Sequence, residues 1–344
     1  MSIFGFNARS LSSLTKSIDE EEHETTNMAL IFDKYSDQLA TLPKEKGWIT
    51  ENLYKYQGFW HQSKRRISVE TVMAVQDTFK ARSTDIYLAT LPKSGTTWLK
   101  ALVFSIVNRS RYKINSFSTH PLLISNPHNC LPFIETEIFR IMSTYVNDPY
   151  SPRLFATHIP YTSLPRSIVD SGCHLVCLCR NPKDVLVLMF HFANKLRDES
   201  RSPMRLEEEF ELFSRGAMPT GPYWDHVKVY HNASLEHPTK ILFLTYDEMK
   251  VDTVNNVKRL SRFLGYPITE AEEANDVVQK IVRLCSFENL SKVNKLGNLR
   301  EGIPNDVFFR EGTVGGWSNH LTNEMSEILD QITEEKFLGL DISF

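Results

Sequence analysis

The sequence lacks the features that mark a membrane protein or a general nucleic-acid binder. None of its apolar runs reaches the roughly 18–20 residues that a membrane-spanning helix needs. Its 344 residues carry a formal net charge of only −3, whereas a chain that binds nucleic acid along its surface is usually strongly basic. We therefore expect neither a membrane nor a nucleic acid as a partner, and any anion site must be a local concentration of basic groups.

Cysteine is also scarce, and its pattern does not favour a metal site. Of the five cysteines, Cys173, Cys177 and Cys179 lie close together, but the last two fall within an apolar pattern typical of a buried strand. No second cluster completes a set of zinc ligands, so buried free thiols are favoured over a zinc site. Free thiols are typical of a reducing compartment, and we expect a cytoplasmic protein.

The first 28 residues predict a disordered polar tail, followed by one domain over residues 29–344. "MSIFGFNARSLSSLTKSI" is rich in serine and has no acid, as in transit peptides, yet the acidic "DEEEHE" follows at once. A polar tail is therefore favoured over a targeting peptide. "MALIFDKYSDQLATLP" then has the apolar spacing of a helix. No long linker or repeat interrupts the remainder, which favours a single domain.

Four short apolar runs predict buried strands. They are "TDIYLATL" (84–91), "PRLFATHI" (152–159), "CHLVCLCR" (173–180) and "KILFLTYD" (240–247). Helical patterns follow three of them, over residues 96–109, 182–197 and 253–264. This alternation predicts a three-layer α/β/α fold with a central, mostly parallel sheet. Because ligands of such folds bind beyond the carboxyl ends of the strands, functional residues should follow each strand directly.

The first strand ends in "PKSGTTW" (92–98), which resembles a phosphate-binding loop. The amides from Ser94 to Thr97 lie at the start of a helix, where they would converge on an anion, and Lys93 adds a mobile positive charge. The loop departs from the G-x-x-x-x-G-K-[ST] pattern, because its Lys precedes its only Gly. An ordinary strand–helix turn with a solvated Lys remains the alternative.

The next two strand ends offer a cation and an imidazole. Arg180 lies beside a predicted helix N-terminus capped by Asn181, a position suited to a forked phosphate contact, although a surface salt bridge is the commoner role of such an Arg. His158 precedes a Pro-containing turn. Its unperturbed pKa, near 6.5, suits a general base at neutral pH, although most histidines are structural or solvated.

A further motif, "REGTVGGW" (310–317), has the form R-x-G-x-x-G-x-W and ends a polar loop. Glycines beside an Arg would let backbone amides approach an anion closely. A glycine-rich surface turn is the local alternative.

Together these segments are far more specific than any one of them. "PKSGTTW", "THIPY", "CRNPKDV", "LTYDEMK", "CSFENL" and R-x-G-x-x-G-x-W, in this order, resemble the soluble sulfotransferases, which use 3′-phosphoadenosine 5′-phosphosulfate (PAPS) as sulfonate donor. "LPKEKGW", "YQGFWH" and "SNPHNCLPF" look like the plant branch of that family. The resemblance covers roughly residues 40–344.

The resemblance implies a role for each motif. The loop from Lys93 to Thr97 would cradle the 5′-phosphosulfate. Tyr246 and Phe287 would enclose the adenine together with Trp98. Arg180 and the segment after Arg310 would hold the 3′-phosphate. The implied donor-binding residues are Lys93, Ser94, Gly95, Thr96, Thr97, Trp98, Arg180, Leu188, Tyr246, Ser286, Phe287, Arg310, Glu311 and Gly312.

The implied chemistry needs no metal. His158 would take the proton of the acceptor hydroxyl while the oxygen attacks sulfur in line. Lys93 would neutralise charge on the leaving phosphate oxygen.

Two positions depart from the family pattern. Leu188 stands where the family typically has a Ser that reaches the 3′-phosphate and the catalytic Lys, and losing a hydrogen bond to a charged group costs about 1.5–3 kcal/mol. Glu311 stands where a basic residue is usual, and it is harmless only if its side chain points to solvent. The animal dimerisation pattern does not follow Trp317, so a monomer is favoured.

Three functions are therefore compared. An active sulfotransferase is favoured by Lys93, His158 and Arg180. A sulfotransferase-like nucleotide-binding protein, with vestigial activity because of Leu188 and Glu311, is the alternative. A P-loop kinase fits poorly, because no Walker-type Lys-Ser/Thr pair is present.

The acceptor is expected to be a small hydroxylated molecule. Family analogy offers hormones such as jasmonates or brassinosteroids, flavonoids and thiohydroximates, without ranking them. Seven aromatic residues either line an apolar acceptor pocket or belong to the core: Tyr54, Tyr56, Phe59, Trp60, Phe139, Tyr145 and Tyr161.

Overall fold

The computed structural model describes residues 18–112, 120–141, 152–292, 299 and 303–344. Its helices are α1 (Ile18–Lys34), α2 (Ser36–Thr41), α3 (Val69–Thr78), α4 (Thr96–Asn108), α5 (Pro127–Cys130), α6 (Ile134–Ile141), α7 (Arg166–Val169), α8 (Pro182–Leu196), α9 (Leu206–Ser214), α10 (Tyr223–Glu236), α11 (Tyr246–Val251), α12 (Thr253–Phe263), α13 (Glu270–Ala274), α14 (Val277–Leu284), α15 (Phe287–Lys292) and α16 (Asn323–Lys336). Its strands are β1 (Lys44–Lys46), β2 (Asn52–Tyr56), β3 (Phe59–His61), β4 (Ile86–Thr90), β5 (Leu154–Thr157), β6 (His174–Cys179) and β7 (Ile241–Thr245).

The central sheet has four parallel strands in the order β5-β4-β6-β7. Its side chains alternate between two apolar layers. On β4, Ile86 and Leu88 join a cluster that includes α4, α12 and α14, whereas Tyr87 and Ala89 join a cluster that includes α3, α6 and α10. Helices on both faces bury all of β4 and most residues of the other three strands, which explains why these strands are almost continuously apolar. The three-layer α/β/α prediction is confirmed.

The predicted strands and helices agree with the structure to within about two residues at most ends. The last strand, which was expected to reach Asp247, ends two residues earlier, at Thr245. Thr245 instead caps α11, because its hydroxyl accepts a hydrogen bond from the amide of Glu248. Asn181 caps α8 as predicted, by accepting from the amide of Lys183, and Pro182 occupies the first helical position.

The predicted disordered tail, residues 1–28, is too long at its C-terminal end. Helix α1 already begins at Ile18, and its side chains make tertiary contacts from Glu24 onward. Glu24 forms an ion pair with Arg66 at 3.1 Å, and the Asn27 amide donates to the Phe139 carbonyl at 3.0 Å. Polar contacts across the fold therefore order a stretch whose composition alone suggested disorder. Residues 1–17 lie outside the described residues.

A small antiparallel sheet, β1-β2-β3, precedes α3 and was not predicted. The segment that follows it, residues 61–68, is fixed by hydrogen bonds to the start of α3. The Val69 amide donates to the Gln62 carbonyl at 2.9 Å. The Glu70 carboxylate accepts from the Ser63 hydroxyl at 2.7 Å and from the Lys64 amide at 3.2 Å.

None of the helices in the described ranges is long and apolar enough to cross a membrane. None of the five cysteines, all of which lie in described residues, forms a disulfide, and all but Cys130 are buried. Burial raises the pKa of the Cys285 thiol to about 12, so it is protonated and unreactive at neutral pH.

Deleting residues 1–28 should lower the free energy of unfolding by about 2–4 kcal/mol, because it removes the Asn27 hydrogen bond and leaves Arg66 without its carboxylate. Deleting only residues 1–17 is the matched control and should have little effect. Urea unfolding of the two truncated proteins and the full chain measures both changes. Equal stability of all three would show that α1 does not contribute.

Candidate functional site

A cavity of about 860 Å³ opens at the carboxyl ends of the sheet strands. The sequence-predicted site residues line it with one exception: Lys93, Gly95, Thr96, Thr97, Trp98, His158, Arg180, Leu188, Tyr246, Ser286, Phe287, Arg310, Glu311 and Gly312. Ser94 is the exception. Its side chain is buried away from the cavity, and its hydroxyl has no hydrogen-bond partner among the described residues.

The loop after β4 has the backbone of a tight anion-binding turn. Lys93 has φ 67° and Gly95 has φ 103°, both in the left-handed region. A Cβ atom on Gly95 would lie 2.7 Å from the ring of Tyr246, so only glycine allows the loop to pack this closely. Gly95 also occupies the N-cap position of α4, which leaves the first amides of that helix available to a ligand.

Lys93 is surrounded by positive charge. Its ammonium donates to the Val307 carbonyl at 3.1 Å and lies 4.7 Å from the centre of the Phe192 ring. Burial, followed by the nearby charges of Arg180, Lys195 and Arg310, lowers the pKa of Lys93 to about 7. Around Lys93, the positive charge of the basic groups in the cavity therefore exceeds the negative charge of its carboxylates.

Arg180 links the sheet to the C-terminal loop. It is 5% exposed, donates to the Asp184 carboxylate at 3.0 Å and to the Thr313 carbonyl, and stacks 4.3 Å from the centre of the Tyr246 ring. The sequence left a salt bridge and a ligand contact as alternatives for Arg180. In the structure Arg180 forms a buried salt bridge and also lies in the cavity wall. The Nη1 group of Arg180 has no hydrogen-bond partner among the described residues, and it remains available to a ligand.

Asp184 organises the glycine-rich loop, a role that its position in the sequence did not reveal. Besides Arg180, its carboxylate accepts from the amides of Gly315 and Trp317, each at 3.1 Å. The first turn of α8 thereby fixes the R-x-G-x-x-G-x-W segment against the end of β6. Because these hydrogen bonds compensate the negative charge of the Asp184 carboxylate, it repels a nearby anion less than an isolated carboxylate would.

The other end of that loop carries Arg310 and Glu311. Arg310 donates to His320 at 2.7 Å and lies 3.4 Å from the Glu311 carboxylate, which is 47% exposed. Gly312 has φ 64°, and a Cβ atom there would lie 2.5 Å from the Phe287 ring. The Gly312 carbonyl accepts from the Tyr246 hydroxyl at 3.1 Å.

An aromatic wall adjoins this loop. The rings of Trp98 and Tyr246 meet edge to face at 5.3 Å between centres, and Phe287 is 37% exposed on the other side. Ser286 accepts from the Asn289 amide at 3.3 Å and so begins α15. Exposed aromatic faces of this kind suit a planar base.

His158 is buried beside the loop, with a defined tautomer. Its Nδ1 lies 2.6 Å from the Thr90 carbonyl, which can only accept, so Nδ1 carries the proton and Nε2 has the lone pair. No described residue bonds to Nε2. Burial, followed by the charge of Lys100, lowers the pKa of His158 to about 3, although hydrogen bonding to Thr90 opposes this. The unperturbed value used in the sequence argument therefore does not apply to the empty cavity.

A hydrogen-bonded chain, which the sequence did not reveal, ends at Thr97. The Lys100 ammonium lies 3.0 Å from Nδ1 of His128, whose Nε2 lies 2.9 Å from the Thr97 hydroxyl. Burial, together with the Lys100 charge, lowers the pKa of His128 well below its usual value, so the ring is neutral. Because Lys100 donates to Nδ1, the ring proton is on Nε2 and is donated to Thr97. The only available signal was "SNPHNCLPF", to which no role was given.

Comparison with known proteins agrees with this geometry. A family model described as the sulfotransferase domain matches residues 83–341. The chain belongs to the sulfotransferase family. It is 43% identical over 308 residues to cytosolic sulfotransferase 12 of Arabidopsis thaliana, which covers 89% of this chain and 92% of that protein. It is also 43% identical over 314 residues to flavonol 4′-sulfotransferase of Flaveria chlorifolia, which covers 89% and 95%.

Solved sulfotransferase structures share the fold. A proposed steroid sulphotransferase of Arabidopsis thaliana aligns over 100% of both chains with a TM-score of 0.71 and 35% identity. A mouse sulfotransferase in complex with PAP (3′-phosphoadenosine 5′-phosphate, the nucleotide that remains when PAPS has lost its sulfonate) aligns over 84% of this chain and 95% of that one. The TM-score is 0.64 and the identity is 28%. The recognition of a plant-branch sulfotransferase from sequence motifs is confirmed.

In this sulfotransferase, Leu188, which departs from the family pattern, lines the cavity. It lies one helical turn before Phe192, whose ring lies under the Lys93 ammonium. The Val307 carbonyl, rather than a hydroxyl at position 188, is the hydrogen-bond partner of Lys93.

Of the seven aromatic residues considered for an acceptor pocket, the six that the structure describes belong to the core or pack against it instead. Tyr54, Tyr56, Phe139 and Tyr161 pack in the α3/α6/α10 layer, Trp60 packs against the cluster around α8, and Phe59 contacts His226. Tyr145 lies outside the described residues. The aromatic residues that do line the cavity are Trp98, Phe104, Tyr112, Phe133, Phe192, Tyr246, Phe287, Phe308 and Phe309.

Within the described ranges, no group of three or more His, Cys, Asp or Glu side chains is placed to hold a metal ion.

Proposed function

We propose that this sulfotransferase transfers a sulfonate group from PAPS to a hydroxyl group of a small molecule. One observation carries the proposal: Lys93, Arg180 and Arg310 converge on a single cavity with the amides of a phosphate-binding loop and with the free Nε2 of His158. The polyanionic donor PAPS would bind to these cations, and the neutral hydroxyl of the acceptor would lie beside Nε2 of His158. The names of the relatives and the bound PAP of the mouse enzyme support the same class.

The residues present fit such a nucleotide. Because Gly95 and Gly312 have no Cβ atom, the rings of Tyr246 and Phe287 pack directly against the backbone of the two loops. Burial, followed by the charges of Arg180, Lys195 and Arg310, lowers the pKa of Lys93, and two phosphate groups would offset this cluster of positive charge. Trp98 and Phe287 present aromatic faces for a base. When bound, PAPS supplies the sulfonate group that is transferred.

His158 would act as the general base. The Thr90 carbonyl fixes the proton on Nδ1, so the lone pair of Nε2 is available to a hydroxyl proton. A buried imidazole with a pKa of about 3 is a weak base. Negative charge placed near it raises the pKa of His158, so occupation of the phosphate site would improve the base at the moment when it is needed.

Thr97 would donate a hydrogen bond to the donor. The Thr97 oxygen already accepts a hydrogen bond from His128, so the hydroxyl hydrogen of Thr97 points away from that ring. Thr97 lines the cavity, and a ligand there would accept this hydrogen. Lys100 and His128 would thus be positioning residues, which act through Thr97.

We further propose a cytosolic protein that needs no metal, because Lys93 and the helix amides supply the positive charge that a leaving phosphate requires. The acceptor would be a hydroxylated small molecule such as the flavonols or steroids for which relatives are named. Nucleotide binding with vestigial transfer is the second candidate, because Leu188 cannot donate and Glu311 partly neutralises Arg310.

Incubation with labelled PAPS and a panel of flavonols, steroids and hydroxylated acids, with and without EDTA, tests the function. Transfer to at least one class, unaffected by EDTA, is expected. PAP binding without transfer to any acceptor would favour the second candidate, and a Mg²⁺ requirement would favour the kinase alternative.

Replacing the proposed base, His158→Ala, should abolish transfer while PAP binding stays nearly intact, because His158 is not among the residues expected to hold the nucleotide. A general base usually contributes about 10²–10⁴-fold to the rate. Single-turnover transfer and calorimetric titration with PAP measure the two effects. A variant that keeps more than about a tenth of the rate would rule out this role.

The affinity for PAP should fall as the pH rises above 7. Lys93, with a pKa of about 7 in the free protein, is about half protonated at pH 7 and about 1% protonated at pH 9. Bound phosphates raise its pKa and keep it protonated, so affinity should decrease about 50-fold over this range. Lys93→Met should remove most of this pH dependence, and Lys228→Met, at an exposed position, should retain it. Parallel slopes in wild type and Lys93→Met would contradict the assignment.

Restoring the hydroxyl with Leu188→Ser should tighten PAP binding about 10- to 150-fold, if helix α8 faces the 3′-phosphate. Adenosine 5′-phosphate, which has no 3′-phosphate, should gain nothing. The neighbouring substitution Val187→Ser removes apolar volume from the core around α8, outside the cavity lining, and controls for stability loss. Equal gains for both nucleotides, or none, would show that Leu188 is placed wrongly.

A further inference from the structure

The segment between β3 and α3 presents three polar groups without partners to the cavity. His61, Gln62 and Arg65 all line it. Within the described residues, Nε2 of His61 and Oε1 of Gln62 are buried and form no hydrogen bond, and the Arg65 guanidinium has neither a hydrogen bond nor an ion pair. Buried polar groups are nearly always satisfied, so two unsatisfied groups beside a half-buried, unpaired cation on one short segment indicate a ligand.

Arg65 is an uncompensated cation. It is partly buried, and burial alone lowers its pKa, with no carboxylate opposing the effect. Of the carboxylates that line the cavity, Glu24 pairs with Arg66, Glu311 pairs with Arg310, and Glu137 is not among the groups that act on the pKa of Arg65. Burying a charge without a partner is costly, and an anionic ligand would remove that cost.

This segment belongs to the His158 side of the cavity rather than to the phosphate cluster. Burial, followed by the neighbouring charge of His226, lowers the pKa of His61 to about 3. Nε2 of His226 in turn lies 3.3 Å from the His158 carbonyl. Arg65 is not among the charges that act on Lys93, which are those of Arg180, Lys195 and Arg310.

The backbone that carries these groups is held rigidly. Val69 and Glu70 fix it from Gln62 to Lys64, and Glu70 uses one carboxylate oxygen for both of its bonds there. A fixed backbone reduces the entropy that is lost when a side chain orders around a ligand.

We propose that Arg65 binds an anionic group on the acceptor, and that the acceptor is a hydroxylated acid. The inference rests on the proposed function. The Arg65 fork would bind a carboxylate or a sulfate ester, Oε1 of Gln62 would accept from a second hydroxyl or amide of the acceptor, and Met28, Ile49 and Ile67 would contact its apolar part. The transferred sulfonate is received by the hydroxyl near His158, and the acid group takes no part in the chemistry.

The test compares acids with their neutral counterparts as acceptors. The pairs are p-coumaric acid and ω-hydroxydodecanoic acid with their methyl esters, for a carboxylate, and quercetin monosulfate with quercetin, for a sulfate ester. In wild type, kcat/KM for at least one anionic member should exceed that of its neutral partner by about tenfold or more, mostly through KM. Whichever pair shows the preference identifies the anion.

Arg65→Gln should remove this preference by lowering kcat/KM for the acid about 10- to 100-fold, with the neutral partner changed less than about threefold. Arg65→Lys should recover part of it. Arg166→Gln, at an exposed Arg that does not line the cavity, is the control and should keep the preference. A preference for neutral acceptors, or equal losses for acid and ester in Arg65→Gln, would overturn the proposal.

Failure of the proposed function would be distinct, because wild type would then transfer to no acceptor. In that case calorimetric titration of p-coumarate, its methyl ester and quercetin monosulfate into the PAP-saturated protein decides the inference. Binding of an anion that is lost in Arg65→Gln, while PAP binding is unchanged, supports it. Equal binding of acid and ester by wild type and Arg65→Gln, or no binding of any anion, refutes it.

Discussion

The packing of Tyr246 is the constraint on which the site depends. Its ring fills the space that a Cβ atom on Gly95 would occupy, meets the edge of Trp98, and is covered by the Arg180 guanidinium, while its hydroxyl holds the Gly312 carbonyl. The phosphate loop, the strand-end Arg and the C-terminal loop, which are far apart in sequence, are thereby held in fixed relation. Preorganised donors of this kind stabilise charge without having to reorganise when the ligand arrives.

Charge balance explains how the family departures are accommodated. Asp184 is buried behind Arg180, and its carboxylate accepts hydrogen bonds from Arg180 and from two loop amides, so it orders the site more than it repels an anion. Glu311 takes a half-exposed position beside Arg310. Lys93, without a hydroxyl at position 188, is held by the Val307 carbonyl, which fixes the ammonium but cannot bind a phosphate.

The sequence predicted the parts that depend on local pattern. The four apolar runs became the four parallel strands, and the motifs after them face one cavity, because carboxyl ends of parallel strands share an edge. What it could not predict depends on contacts between distant segments. The order of α1 rests on Asn27 and Arg66, the direction of the Thr97 hydroxyl rests on His128, and the pKa values of Lys93 and His158 rest on burial. The polar composition of residues 18–28 suggested disorder, although they are helical. The aromatic residues of the core suggested an acceptor pocket, although they pack inside the fold.

The central claim is that the converging cations form a site for a nucleotide with two separate phosphate groups. Calorimetric titration of PAP at several salt concentrations tests this most directly. The account predicts one PAP per chain, with affinity that weakens steeply as salt rises and that falls at least tenfold when the 3′-phosphate is absent. Absence of binding, or equal affinity for PAP and adenosine 5′-phosphate, would contradict it.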